Sequence, residues 1–150
     1  MSILIIQENK QARFDYFITD TYEAGLSLTG SEVKSLRLKS ITFKDSYIAF
    51  IKDEAFLQNA HISEYRASSY NNHAPERLRK LLLHRAELDQ IFGAIREKGL
   101  TCIPLKIYFK EGRVKLEIGL AKGKKLHDKR ESIKKRDVDQ QLRQAKARSR

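Results

Sequence analysis

The sequence contains little of several residue types that define common protein classes. Its 150 residues include one Cys, two Pro and no Trp. A single cysteine cannot form an internal disulfide or a cysteine-rich zinc site, which is typical of proteins from a reducing compartment. No apolar run approaches the roughly 20 residues that a membrane-spanning helix needs. The N-terminal segment also lacks the features of a signal peptide. These absences predict a cytoplasmic protein with no membrane partner.

The positive charge is unevenly distributed along the chain. There are 30 Lys and Arg against 19 Asp and Glu, which gives a net charge of +11. Residues 121–150 hold 12 of the basic and 4 of the acidic residues, a net of +8, which leaves +3 for residues 1–120. The C-terminal segment has too few large apolar residues to form a core. We therefore expect one folded domain over residues 1–122 and a basic tail over residues 123–150. The tail would be disordered when free and helical against a polyanionic partner.

Alternating apolar and polar residues predict antiparallel strands. The clearest pattern covers residues 103–110 and 113–120, joined at Glu111-Gly112. A less regular pair, residues 46–51 and 55–62, predicts a second hairpin that turns at Asp53-Glu54. Shorter strands are expected near residues 14–19 and 25–28.

Helical patterns separate these strands. Ser31 is suited to cap a helix over residues 32–38, in which Glu32 would complement the helix dipole. Pro75 favours the first turn of a second helical segment that closes at Gly99. Leu78, Leu81 and Leu82 would share its apolar face, and Arg77, Arg79 and Lys80 would lie on its solvent side. The order of elements predicts a mainly β protein, a small antiparallel barrel with flanking helices, rather than a parallel sheet.

No catalytic or metal site stands out. The four histidines are far apart, and none has a second histidine at a metal-ligand spacing. Glycine forms no phosphate-binding loop, and Asp53-Glu54 is better explained as a solvated turn. We therefore expect no enzyme activity, no cofactor and no metal.

Basic and aromatic side chains combine on one predicted strand, where Lys106, Tyr108 and Lys110 would share a face. Cations that bind phosphates, together with flat side chains that stack on bases, are a common RNA-binding arrangement. The same pattern also fits an ordinary solvated strand. Glu32 also has two possible roles. It could cap a helix and pair with a cation, or it could accept hydrogen bonds from the amino groups of RNA bases.

Several longer segments resemble the SsrA-binding protein family, also called small protein B. They are NKQA at residues 9–12, EAGLSLTGSEVKSLR at residues 23–37, NNHAPERLRKLLLHR at residues 71–85 and KGLTCIPLKIYFKEGRVKLEIGLAKGKKLHDKR at residues 98–130. The resemblance covers nearly the whole chain. Gln11 departs from it, since members commonly have a second lysine there.

This resemblance implies a fold and a function. The fold is an oligonucleotide-binding-like (OB-like) β-barrel with flanking α-helices, without catalytic activity. The implied function is to bind the tRNA-like domain of transfer-messenger RNA and deliver it to stalled ribosomes for trans-translation, in which the unfinished polypeptide is tagged for degradation. The implied partners are transfer-messenger RNA and the ribosome, at the decoding centre and messenger channel of the small subunit. The protein would be a monomer on the RNA.

The resemblance also implies site residues. The RNA-binding set is Asn9, Lys10, Glu32, Lys34, Arg37, Lys122, Lys124 and Lys125, which favours RNA contact over capping for Glu32. His127 would stack on a base of the decoding centre, and Asp128, Lys129 and Arg130 would begin the ribosomal contacts of the tail. Two further functions fit the composition: a nucleic-acid-binding protein held by its tail alone, and an RNA-processing enzyme.

Overall fold

The computed structural model describes residues 3–65 and 72–124, which form a mainly antiparallel β structure with helices on it. In chain order the elements are β1 (Ile3–Glu8), α1 (Lys10–Asp15), β2 (Tyr16–Leu26), α2 (Gly30–Arg37), β3 (Ile41–Thr42), β4 (Tyr47–Ile51), β5 (Glu54–Gln58), β6 (His61–Ile62), β7 (Arg79–Leu82), α3 (Arg85–Lys98), β8 (Thr101–Lys110) and β9 (Arg113–Gly123). None of the helices in these two ranges has the length and apolar character needed to cross a membrane.

Seven of the strands form one curled sheet. Their order is β1-β8-β9-β2-β7-β5-β4, and β3 pairs with β6 in a separate two-stranded sheet. Every pairing is antiparallel. The edge strand β4 comes close to β8, but within the described residues the strand order is open and the sheet does not close into a barrel. The mainly β, antiparallel class is confirmed, whereas the closure of the predicted barrel is not observed.

The hairpin β8–β9 supplies the centre of the core, as its alternation predicts. Ile107, Leu116 and Ile118 are fully buried on its inner face. The chain reverses at Glu111 and Gly112. Their φ values, 53° and 77°, are positive, as a two-residue hairpin turn of this kind requires. Strand β9 also pairs along nearly the whole of β2, and β8 pairs with β1, so a neighbouring strand lies along each long edge of the hairpin.

The second hairpin, β4–β5, is also confirmed, with its turn one residue earlier than predicted. Lys52 and Asp53 occupy the turn with φ values of 50° and 63°, and Glu54 already pairs with Ile51. The two short strands expected near residues 14–19 and 25–28 are largely parts of one strand, β2, because pairing with β9 keeps the intervening polar residues extended. Residues 14–15 belong instead to α1, and residues 27–28 follow the end of β2.

The helix expected from Pro75 onward is wrong in its first half. Residues Arg79–Leu82 form strand β7, which pairs with β2 on one side and β5 on the other. Arg79 and Leu81 point inward, and Lys80 and Leu82 point outward. Leucines spaced three and four apart therefore matched a helical pattern although the backbone is extended. Sheet pairing outweighed that local pattern.

The second half of the segment is helical, as predicted. Helix α3 packs on the core through Ile91, which is fully buried, and through an edge contact between Phe92 and Phe50 with ring centroids 4.9 Å apart. It ends at Gly99, whose φ of 64° gives the left-handed C-cap that glycine adopts without strain. The next strand carries Cys102, which is 1% exposed. Burial raises the pKa of its thiol to about 12.

Gly119 of β9 lies close to side chains of both neighbouring strands, β8 and β2. A Cβ atom at this position would lie 2.9 Å from Leu105 Cδ1 and 3.1 Å from Ile18 Cγ2. Both neighbours are packed in the body of the sheet, so they have little room to move. Gly93, in helix α3, has open space around the same position.

We predict opposite effects of alanine at these two glycines. Gly119→Ala should lower the free energy of unfolding by about 1–3 kcal/mol, because the added methyl overpacks the sheet. Gly93→Ala should raise it by about 0.5–1 kcal/mol through helix propensity. Urea denaturation followed by circular dichroism measures both. Equal stability of Gly119→Ala and the wild type would contradict the close approach.

Candidate nucleic-acid interface

Helix α2 begins with a capping box formed by Thr29 and Glu32. The Thr29 hydroxyl accepts from the Glu32 amide at 3.4 Å, and the Glu32 carboxylate accepts from the Thr29 amide at 2.8 Å. The predicted N-cap, Ser31, is wrong because Ser31 lies within the first turn of the helix, two residues after the cap. Its hydroxyl lies 2.8 Å from Nδ1 of the buried His73. The sequence signal for the correct cap was the Thr-x-x-Glu spacing two residues earlier.

Glu32 is fully buried and lies between two arginines. Nη2 of Arg77 is 2.5 Å from Glu32 Oε1, and Nε of Arg79 donates to Glu32 Oε2. The Arg79 side chain is also fully buried, and it donates to the carbonyls of Ala60 at 2.9 Å and Pro75 at 2.8 Å. The solvent-side position predicted for Arg79 is therefore wrong. Its charge needs a buried carboxylate, and Glu32 supplies it.

This environment lowers the pKa of the Glu32 carboxyl. Burial alone would raise it, but hydrogen bonds from Arg77, the Thr29 amide and Arg79 more than offset that effect. Glu32 is thus ionised at neutral pH with both oxygens engaged inside the protein. The geometry corresponds to the capping and pairing alternative for this residue rather than to direct contact with a base.

The cations of α2 lie on its opposite face. Lys34 and Arg37 are exposed, three residues apart, while Glu32, Ser35 and Leu36 are buried. The ammonium of Lys34 lies 5.6 Å from the centre of the Tyr65 ring. The buried ion pair therefore fixes which side of α2 presents positive charge to solvent.

The sequence patterns do not reveal a groove around Leu82, which we call the Leu82 groove. It has a volume of about 690 Å³ and lies between β2, β5, β7 and the start of α3. Leu82 projects into it and is 55% exposed, with Lys80, Arg85 and Lys115 around it. A Cβ on the neighbouring Gly25 would lie 3.3 Å from Leu82 Cβ, so a glycine leaves room for this leucine. An adjoining groove of 440 Å³ includes Leu82 together with residues of α2 and β9.

This groove carries acidic as well as basic groups. Glu54 pairs with Lys80 at 3.2 Å, and Glu23 lies between Lys110, at 3.3 Å, and the hydroxyl of Tyr108, which donates to it. The hydrogen bond from Tyr108 is the largest influence on the Glu23 carboxyl and lowers its pKa. The mixture of cations, carboxylates and an exposed leucine suits recognition of particular groups better than simple attraction to phosphates.

The predicted stacking face of β8 is wrong for Tyr108. Its ring is 4% exposed, and burial followed by the contact with Glu23 raises the pKa of its hydroxyl. Lys106 lies 3.6 Å from Glu117, and Lys110 lies beside Glu23. The three side chains do share a face, but the lysines are paired with acids and the tyrosine is inaccessible for stacking.

Helix α1 carries the N-terminal residues of the predicted set. Asn9 is half-buried and anchors the helix to β8, where its amide donates to the Leu105 carbonyl at 2.7 Å and its side chain to the Pro104 carbonyl at 2.8 Å. Lys10 is exposed next to it and shares a small pocket with Arg13. Asn9 thus holds in place a helix whose exposed side is basic.

The C-terminal residues of the predicted set are only partly described. Lys122 is exposed at the end of β9, and Lys124 is half-buried against α1. Lys125, His127, Asp128, Lys129 and Arg130 lie outside the described residues. Within residues 3–65 and 72–124, no group of three His, Cys, Asp or Glu side chains is arranged to hold a metal ion.

The predicted residues form separate surfaces. Helix α2 packs on β6, whereas α1 packs on β2 and β8. Val33 of α2 lines the smaller groove that adjoins the Leu82 groove, and Lys34 and Arg37 are exposed on the same helix. Helix α1, which carries Lys10, lies instead beside Lys124 after the end of β9.

Fold and surfaces together define a basic, mainly β protein of the nucleic-acid-binding type. The model of the SmpB protein family matches residues 6–148. The chain belongs to the SmpB family.

Individual relatives agree with this assignment. An SsrA-binding protein of Bdellovibrio bacteriovorus is 70% identical over 149 residues, covering 99% of this chain and 98% of its own. One from Gloeothece citriformis is 54% identical, covering 94% and 92%. A solved structure described as "tmRNA-SmpB: a journey to the center of the bacterial ribosome" is 48% identical with a TM-score of 0.68, covering 85% of this chain and 93% of that one.

We predict that Glu32→Gln lowers the free energy of unfolding by about 3–5 kcal/mol at pH 7, because it leaves the Arg79 charge buried without its partner. Glu54→Gln, which removes a carboxylate from an exposed pair with Lys80, should cost at most about 1 kcal/mol. Denaturant titrations of both variants measure the difference.

The Glu32 effect should depend on pH. Because its pKa is lower in the folded state, the stability that its charge provides is present above the unfolded pKa and is lost as pH falls through the folded pKa. The gap between wild type and Glu32→Gln should therefore narrow on acidification. A gap that does not change with pH would contradict the role of the ionised carboxylate.

Proposed function

We propose that this chain binds the tRNA-like domain of transfer-messenger RNA and delivers it to stalled ribosomes, where the unfinished polypeptide is tagged for degradation. The observation that carries this proposal is the SmpB family match over residues 6–148, together with a relative named SsrA-binding protein at 70% identity. In this proposal the protein is a non-catalytic, monomeric, cytoplasmic adaptor without a cofactor.

The RNA surface of the body combines α2 with the Leu82 groove. Lys34 and Arg37 supply exposed charge for phosphates, and the groove adds an apolar contact and carboxylates that can accept from base amino groups. Val33 and Leu82 line the same adjoining groove, so the two parts are continuous. The curled sheet beneath them serves as the platform, in the manner of an OB-like barrel.

Glu32 supports this surface from inside. Its carboxylate joins α2 to Arg79 of β7, and it thereby orients Lys34 outward on the helix and Leu82 outward on the strand. We assign it to positioning, while Asn9, Lys10, Lys34, Arg37, Lys122 and Lys125 are the proposed RNA-contacting members of the set, with Asn9 also holding α1.

The second partner in the proposal is the ribosome. The body has a charge close to neutral, whereas residues 121–150 carry a net charge of +8, which suits a channel lined by RNA. His127 would stack in the decoding centre, and Asp128, Lys129 and Arg130 would continue into the messenger channel. After Lys124, the last described residue, the tail would be helical there.

We predict that Leu82→Ala weakens binding of transfer-messenger RNA about tenfold, because the groove loses its central apolar contact. Ile51→Ala is the matched control, since Ile51 is 44% exposed and lies on the edge strand β4. Affinities should be measured by filter binding at one salt concentration with bulk tRNA as competitor. Equal losses in the two variants would contradict a specific role of the groove.

We also predict that the two partners can be separated. Deleting the residues after Arg130 should leave affinity for transfer-messenger RNA within about twofold but abolish tagging on stalled ribosomes in a reconstituted assay. The full-length protein is the positive control.

Other outcomes of these experiments point to other functions. Loss of RNA affinity on the deletion, with equal binding of duplex DNA by the full-length chain, would indicate a non-specific binder held by its tail. Cleavage of transfer-messenger RNA during incubation would indicate a processing enzyme.

A further inference from the structure

Lys124, at the end of β9, makes three contacts with one short stretch of the chain. Its backbone N–H donates to the Asp15 carbonyl at 2.8 Å, and its ammonium donates to the Arg13 carbonyl at 3.1 Å. The ammonium also lies 5.1 Å from the centre of the Phe17 ring. All three partners lie at the junction of α1 and β2, within five residues of one another. A lysine that only awaited a phosphate would need none of these contacts.

Each contact has a physical reason to form. The Arg13 carbonyl belongs to the last turn of α1, where carbonyls lack partners within the helix and attract a cation. The Phe17 ring is 49% exposed, and the face of an aromatic ring attracts an ammonium group. The bond to Asp15 extends the pairing of β2 and β9 beyond Gly123 and Tyr16.

We propose that Lys124 is a positioning residue, which with Phe17 and the end of α1 forms a clasp that sets where and in which direction the basic tail leaves the body. The clasp places the start of the tail beside α1, whose exposed side carries Lys10 and Arg13. This inference rests on the proposed function of the tail on the ribosome. It changes the role of Lys124 from a phosphate contact to an orienting contact.

The consequence is a division between binding and delivery. If the clasp orients the tail, the tail is more often positioned to enter the messenger channel of the ribosome. Loss of the clasp should then lower delivery while leaving the RNA surface of the body unchanged. Variants of the clasp should therefore bind transfer-messenger RNA normally and tag poorly. A phosphate contact would instead show its effect in RNA affinity.

The test uses full-length variants on both sides of the clasp. Phe17→Leu removes the aromatic ring and leaves the charge of Lys124 in place, whereas Phe17→Tyr retains an aromatic ring at this position. Lys124→Met removes the charge and the hydrogen bond to the Arg13 carbonyl. Lys98→Met is the matched control, because it removes one exposed lysine from the end of α3, away from the clasp.

The first measurement is hydrogen exchange of the backbone amide of residue 124 by NMR, which needs no ribosome. Exchange should be about two- to fivefold faster in Phe17→Leu and about tenfold faster in Lys124→Met, which loses two interactions. Phe17→Tyr and Lys98→Met should match the wild type. The double variant should exchange no faster than Lys124→Met, because both changes remove the same contact.

The second measurement compares RNA affinity with the rate of tagging on stalled ribosomes. Phe17→Leu and Lys124→Met should keep affinity within about twofold and lose about two- to tenfold in tagging, in the same order as their exchange rates. The proposal is overturned if Lys124→Met loses RNA affinity while Phe17→Leu tags like the wild type, since Lys124 would then be a phosphate contact.

Failure of the proposed function gives a different result. In that case the wild-type protein itself would neither bind transfer-messenger RNA nor support tagging. The exchange measurement would still decide on the clasp, because unchanged exchange in Phe17→Leu would show that the ring does not hold Lys124.

Discussion

The buried pair of Glu32 and Arg79 is the interaction on which the functional surface depends. It joins α2 to β7 although 47 residues separate the partners. With Glu32 inward, Lys34 and Arg37 face solvent, and with Arg79 inward, the alternation of a strand sends Leu82 outward. Replacing both members of such a pair by apolar residues is often neutral for stability, whereas losing one member is costly, so we attribute to the pair an orienting role. One contact thus sets both the charged and the apolar part of a single surface.

The sequence predicted those parts of the fold whose signal is local and strong. The alternating pattern of residues 103–120 matched the hairpin β8–β9 and its buried Ile107, Leu116 and Ile118, although Tyr108 is buried as well. The apolar stripe around Ile91 with Gly99 at its end matched α3. The strand β7 was misread as helix because Leu78, Leu81 and Leu82 have helical spacing. A charged residue at position 79 also suggested a wet face. Its partner is distant in sequence, so no local pattern could show that the arginine is buried.

The candidate site was predictable in kind but not in arrangement. The basic residues of α2 and α1 were identified by resemblance, and both helices expose them. The direction of Glu32, the depth of Tyr108 and the groove around Leu82 depend on which side chains meet across the sheet, and sequence spacing does not contain that information. Some of the cations also have acidic partners on the protein: Lys80, Lys106 and Lys110 each lie within 4 Å of a carboxylate. The body consequently presents a selective surface, and the long-range attraction comes from residues 121–150.

The burial of Cys102 has a practical consequence for studying this molecule. With a thiol pKa of about 12 and almost no exposure, the cysteine remains protonated and out of reach of alkylating reagents at neutral pH while the sheet is intact. We therefore expect one introduced surface thiol to be labelled selectively while Cys102 stays unreacted in the core. The native thiol becomes accessible when β8 separates from its neighbouring strands. The rate at which Cys102 is alkylated therefore reports the rate of local opening of the sheet.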